Sequence, residues 1–191
     1  MPVRLSVNAL LPRYAAAPEE AGADAAQWPR TLFSEGKGVS AEDLQWLATG
    51  ISSMVAKREE RVGYFVAILR DETKPRPVRE ASLSALRERD CFDYDHPAAQ
   101  ASSNVFEAVV ALVKSGDGKI REDAMRWLYL VCHTIKSRQA RVARAKEAIA
   151  SLDAAAAQEP DQEMRDFIQS CRADLDLIVT DRWPDEDYLT E

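Results

Sequence analysis

The stretch KIREDAMRWLYLVC, Lys119 to Cys132, decides how the chain is read. Ile120, Ala124, Leu128 and Val131 recur at steps of three and four residues, and Ile135 continues the series, so one side of a helix is apolar and faces a core. The trio that opens it, Ile120-Arg121-Glu122, has a counterpart Val78-Arg79-Glu80 42 residues earlier and another, Met164-Arg165-Asp166, 44 residues later. Each trio follows a short turn, and each turn follows another amphipathic segment. A helix-turn-helix unit at this period belongs to the range of roughly 40 to 47 residues in which helical pairs stack, because no single unit can bury its own apolar face.

The flanking sequence supplies the rest of the pattern. Ser40 and Asp43 make a capping box, and Leu44, Leu47, Ile51 and Val55 follow it on one face. The series resumes with Val62, Phe65, Val66 and Leu69 after the charged run KREER, which predicts two helices broken near Lys57 to Glu60, with one long helix as the alternative. DETKPRP stops the chain and starts the next helix at Pro77, with Val78, Ser82, Leu83 and Leu86 inward. Val105, Phe106, Val109, Leu112 and Val113 predict a further helix, ended by KSGDGK. A basic helix from Ser137 to Ala157 and a last helix with Met164, Phe167, Ile168, Cys171, Leu175 and Ile178 inward complete the set. No segment alternates with a period of two, so the expected fold is all-α. The expected organisation is an irregular, partly helical arm over 1–38, a helical domain over 39–180 and an acidic tail over 181–191.

A chain of 191 residues is long enough for one well-buried core, and 46% hydrophobic with 30% charged residues is a globular composition. No apolar run approaches the roughly 18 residues of a membrane span. The apolar part of the first twenty residues is too short and too interrupted for a secretory signal. Cys91, Cys132 and Cys171 are an odd set without a close pair, which points to a reducing compartment, read as the cytoplasm. The net charge of -7 is unevenly spread: residues 1–152 carry 22 Lys+Arg against 20 Asp+Glu, and residues 153–191 carry 3 against 12. Such an end repels nucleic acid and attracts a basic partner.

PRPVREASLSAL, GKIREDAMRWL and DQEMRDFIQSC resemble the second helices of HEAT repeats, which commonly open with a proline, an apolar residue and an arginine. The resemblance implies a short α-α superhelix of about three hairpins over residues 60 to 180. It also implies a ladder between repeats made by the arginine and a turn aspartate. Asp117 and Asp161 lie four residues before their arginines, whereas Pro75 takes that place in the first unit. The simplest role for Arg79, Arg121 and Arg165 is then a repeated inter-unit contact.

In such a solenoid the second helices line the binding surface. Glu122, Arg126, Tyr129 and His133 share the side of the central helix opposite its core stripe, with Lys136 one step beyond. The repeat offset places Glu80, Ser84, Arg87 and Cys91 on the matching face of the first unit, and Asp166, Ser170, Ala173 and Leu177 on that of the third. Glu80, Arg87, Glu122, Arg126, Tyr129, His133 and Asp166 are therefore the expected partner-binding residues. Lys136, Arg138, Arg141 and Arg144 form a basic strip suited to anions or to an acidic partner.

Catalytic arrangements are sparse. Two histidines, no close Cys or His pair and no glycine-rich phosphate loop imply neither a metal, nor a cofactor, nor a reaction. Cys132 beside His133 is no nucleophile and base, since neighbouring helical residues point apart. The expectation is a non-catalytic protein-binding module, an adaptor or an inhibitor or immunity protein that masks a partner such as a basic protein. The competing reading is a nucleic-acid-binding or HEAT-like DNA-glycosylase-type protein using the basic helix, which the acidic balance disfavours.

Overall fold

A computed structural model describes residues 28–88 and 91–182. Every regular element among them is a helix, as the absence of period-two patterning predicts. In chain order these are α1 (Trp28–Glu35), α2 (Ala41–Met54), α3 (Arg58–Arg70), α4 (Arg76–Arg87), α5 (Gln100–Leu112), α6 (Gly118–Thr134), α7 (Arg138–Ala156) and α8 (Gln162–Thr180). They divide into two compact units, one through Asp93 and one from Tyr94 on.

In the first unit α1 packs on α2 and α3 on α4, and the second helices α2 and α4 pack on each other. In the second unit α5 packs on α6 and α7 on α8, again with the second helices α6 and α8 together. Each unit is thus two stacked hairpins. α1 falls inside the stretch expected to be an irregular, partly helical arm, and its pairing with α2 as a hairpin was not specified by the sequence pattern. The remainder of that arm, and the tail beyond Arg182, lie outside the described residues.

The helix starts follow from local chemistry. Ser40 Oγ accepts from the Asp43 amide at 3.1 Å and donates to Asp43 Oδ2 at 2.8 Å, the expected capping pair. Asp117 accepts from the amides of Lys119 and Ile120, and Asp161 from that of Met164, each satisfying donors that a first helical turn leaves open. Pro75 stands in the matching position before α4, with Pro77 just inside the helix. The three second helices of the recurring pattern thus begin in the same register.

The break between α2 and α3 falls at Val55–Lys57, earlier than KREER suggested. Lys57 is the cap and Arg58 already helical. Two influences favour this position. Glu59 and Glu60 suit the positive end of a helix, and the Arg61 guanidinium donates to the carbonyls of Val55 and Ala56 that the break releases. The match of Cys91 to a helix face is also corrected. α4 ends at Arg87 because Glu88 is extended, and Cys91 is buried in the turn beyond it with Phe92. Arg58 pairs with Asp93 at 3.0 Å over the same connection.

The expected apolar stripes form the two cores. Phe33, Leu44, Leu47, Ile51, Phe65, Leu69 and Leu86 are fully buried in the first unit, and Val105, Trp127, Leu128, Ile135, Leu152 and Leu175 in the second. Phe33 meets Phe65 edge-on at 5.7 Å, which seats α1. Cys132 and Cys171 are packed thiols, as their place in the stripes suggested, and none of the three cysteines is in a disulfide. Burial pushes Cys132 up to about 12 and Cys171 up to about 11, with Asp174 adding to the latter. Both pKa values lie above the free-thiol value of 9.0, so the stability these thiols contribute is complete below pH 9 and is lost as pH rises towards those values. The native protein at pH 8 is expected to react with a chromogenic disulfide at least about a hundredfold more slowly than the urea-unfolded chain. Equal rates would contradict the buried placement.

Candidate functional site

Four of the expected partner-binding residues come together on the exposed side of α6, in the second unit. Core residues occupy the opposite side: Ile120, Ala124, Trp127, Leu128 and Val131 are buried, so Trp127 is structural rather than a platform. Arg126 projects outward. Its guanidinium sits 5.3 Å from the Phe167 ring centroid on α8 and 3.7 Å from Glu122. One turn on, the rings of Tyr129 and His133 are 6.0 Å apart.

Charges from two neighbouring helices act on this pair. Burial and the Asp174 carboxylate of α8 raise the Tyr129 hydroxyl above the ordinary phenol value. Burial and the Arg141 guanidinium of α7 lower His133, so its imidazole is neutral at pH 7. Arg126 lies on Phe167 and the farther Tyr129 feels the charge of the farther Asp174, the same order along both helices. α6 and α8 therefore run parallel, and the strip between them is lined by aromatic and charged side chains.

Leu130 belongs to this face and was not anticipated. It is 48% exposed, one turn beyond Arg126. The available signal was a leucine that interrupts the core sequence 124, 128, 131, 135 on the wrong side of the helix. Phe167 was expected to point inward, yet it and Met164 are only half-buried. The reason is the neighbouring guanidinium, which covers one ring face and allows the rest to stay at the surface.

The other nominated residues have different surroundings. Glu80 and Arg87 are half-buried on α4, in the first unit, and Glu80 pairs with Arg76 at 2.9 Å. Asp166 is exposed on α8 and accepts from Gln162 Nε2 at 2.7 Å. The basic strip is largely engaged within its own unit. Lys136 pairs with Asp95 at 2.8 Å and Arg138 with Asp181 at 3.1 Å. Arg144 is turned onto α5, donating to Ser103 Oγ at 2.9 Å and lying 4.6 Å from the Phe106 ring centroid. Arg141 borders a shallow hollow with Leu177, Ile178 and Asp181. Arg138, Arg141 and Arg144 consequently do not present one continuous row of cations.

Among the described residues, no group of three or more His, Cys, Asp or Glu side chains is placed to hold a metal ion. No described helix is long and apolar enough to cross a membrane. The chain matches no family model, no curated protein and no solved structure.

Proposed function

We propose that the protein is a non-catalytic helical-repeat module that binds another protein through the outward strip of α6 and α8, acting as an adaptor or as an inhibitor that covers its partner. The observation that carries this reading is the exposed Arg126 with Tyr129 and half-exposed Leu130 one turn on, flanking it on either side. Arginine and aromatic side chains dominate binding energy where a partner excludes water, and an exposed leucine adds apolar area without a folding role. The in-register starts of α4, α6 and α8 support a HEAT-like repeat as the scaffold. Three buried cysteines outside any disulfide fit a reducing compartment such as the cytoplasm. A nucleic-acid role gains nothing from the basic helix, since Lys136, Arg138 and Arg144 are committed to internal contacts.

The test is affinity capture from native extract followed by a binding titration with the identified partner. Arg126→Ala, Tyr129→Ala and Leu130→Ser are each expected to weaken binding at least about tenfold while shifting the melting temperature by no more than about 2 °C. Loss of folding with unchanged affinity of the folded fraction would assign this face to stability instead.

A further inference from the structure

The charge pattern of the same strip specifies the chemistry of what it binds, and the inference rests on the reading of this face as a protein-binding surface. Both arginines in the body of α8 are engaged away from α6, Arg172 by α7 and Arg165 by the turn before α8. Arg165 donates to the Glu159 carbonyl and to Gln162 Oε1, and Arg172 bonds Asp153 and Asp176. The opposite flank of α8 carries Glu163, Asp166 and Asp174 at helical spacing, all exposed, and among the described residues no cation forms an ion pair with any of them. Arg126 is the cation of the facing α6 strip, and it is already occupied by Glu122 and the Phe167 ring.

We propose that the α6–α8 strip takes a basic polypeptide segment of another protein. Lysine or arginine heads of that segment meet Glu163, Asp166 and Asp174, and their apolar stems lie over Tyr129 and Phe167, a division of labour natural to long cationic side chains. Nucleic acid is the wrong occupant because its phosphates face these carboxylates. A second copy of the chain is also a poor one: three of the five cations in its basic run, Lys136, Arg138 and Arg144, are held by Asp95, Asp181, Ser103 and Glu147 within its own unit.

The experiment titrates the full chain with a labelled amphipathic Lys/Leu peptide of about five helical turns and, separately, its Glu/Leu counterpart, read by fluorescence anisotropy. The Lys/Leu peptide is expected to bind. The combined variant Glu163→Gln, Asp166→Asn, Asp174→Asn is expected to weaken it about tenfold. The control Glu59→Gln, Glu72→Gln, Glu88→Gln removes the same charge from the first unit and should leave affinity unchanged. Equal weakening by both variants reduces the effect to net charge and overturns the proposal. Preference for the Glu/Leu peptide, abolished by Leu130→Ser, overturns it too but leaves the protein-binding reading standing. Binding of neither peptide sinks both.

Discussion

Gly36→Ala is expected to destabilise the first unit by about 3 kcal/mol, read as a lower urea midpoint at unchanged slope. Two costs combine. Gly36 ends α1 at φ 61, where its amide closes the turn onto the Leu32 carbonyl at 3.0 Å, and an L side chain there costs about 1 kcal/mol. A Cβ would also stand 2.2 Å from Cγ2 of Val78, a fully buried side chain of α4 that has no open space to move into. Overpacking of that kind costs typically 1–3 kcal/mol. Gly38 separates the two effects, because its φ is 72 but nothing lies within 4 Å of its added Cβ. Gly38→Ala should therefore cost only about 1 kcal/mol. Equal losses at the two positions would show that α1 does not dock against α4 as described.

This hairpin is also where the sequence was least legible. α1 has eight residues, too short for a convincing period and too short to be stable alone, so nothing local distinguished it from an arm. Its order comes from distant partners: Phe33 packs on Phe65, the Tyr64 hydroxyl donates to the Arg30 carbonyl at 2.8 Å, and Arg30 pairs with Glu60 at 3.0 Å. By contrast, α2, α6 and α8 repeat their apolar positions over three turns or more, and a buried stripe of that length survives changes of context. The outward face of α6 was equally readable, since the side opposite a long stripe is fixed once the stripe is known. What occupies the neighbouring space was not. Leu130 and Phe167 gained their partial exposure from where α8 lies, and Arg144 turned to α5 because Ser103 and Phe106 happen to face it.

The recurring arginines show the same limit and lead to the second large effect. Their shared position was plain in the sequence, but a guanidinium on a long flexible stem selects its partner from whatever the fold brings near. Arg79 is buried and donates to the Leu69 carbonyl at 3.1 Å, clasping α3 to α4 within one hairpin. Arg165 likewise reaches the Glu159 carbonyl within its own hairpin. Arg121 alone of the three crosses between hairpins, pairing at 2.7 Å with the carboxylate of Glu159, which is 7% exposed, while Asp117 and Asp161 are used as helix caps. The contact expected from a turn aspartate is thus made, between these two hairpins, by a turn glutamate. Removing the arginine strands a nearly buried carboxylate, so Arg121→Ala is expected to cost about 2 kcal/mol, between the value for an exposed pair and that for a fully buried one. Glu159→Gln in the Arg121→Ala background should recover roughly half of that loss, since it removes the stranded charge. Arg126→Ala, which breaks an exposed 3.7 Å pair on the same helix, should cost less than about 0.5 kcal/mol. Urea titrations of the four proteins order these effects. Equal losses for Arg121→Ala and Arg126→Ala, with no recovery from the glutamine, would mean that the hairpins of the second unit are held together by apolar packing alone.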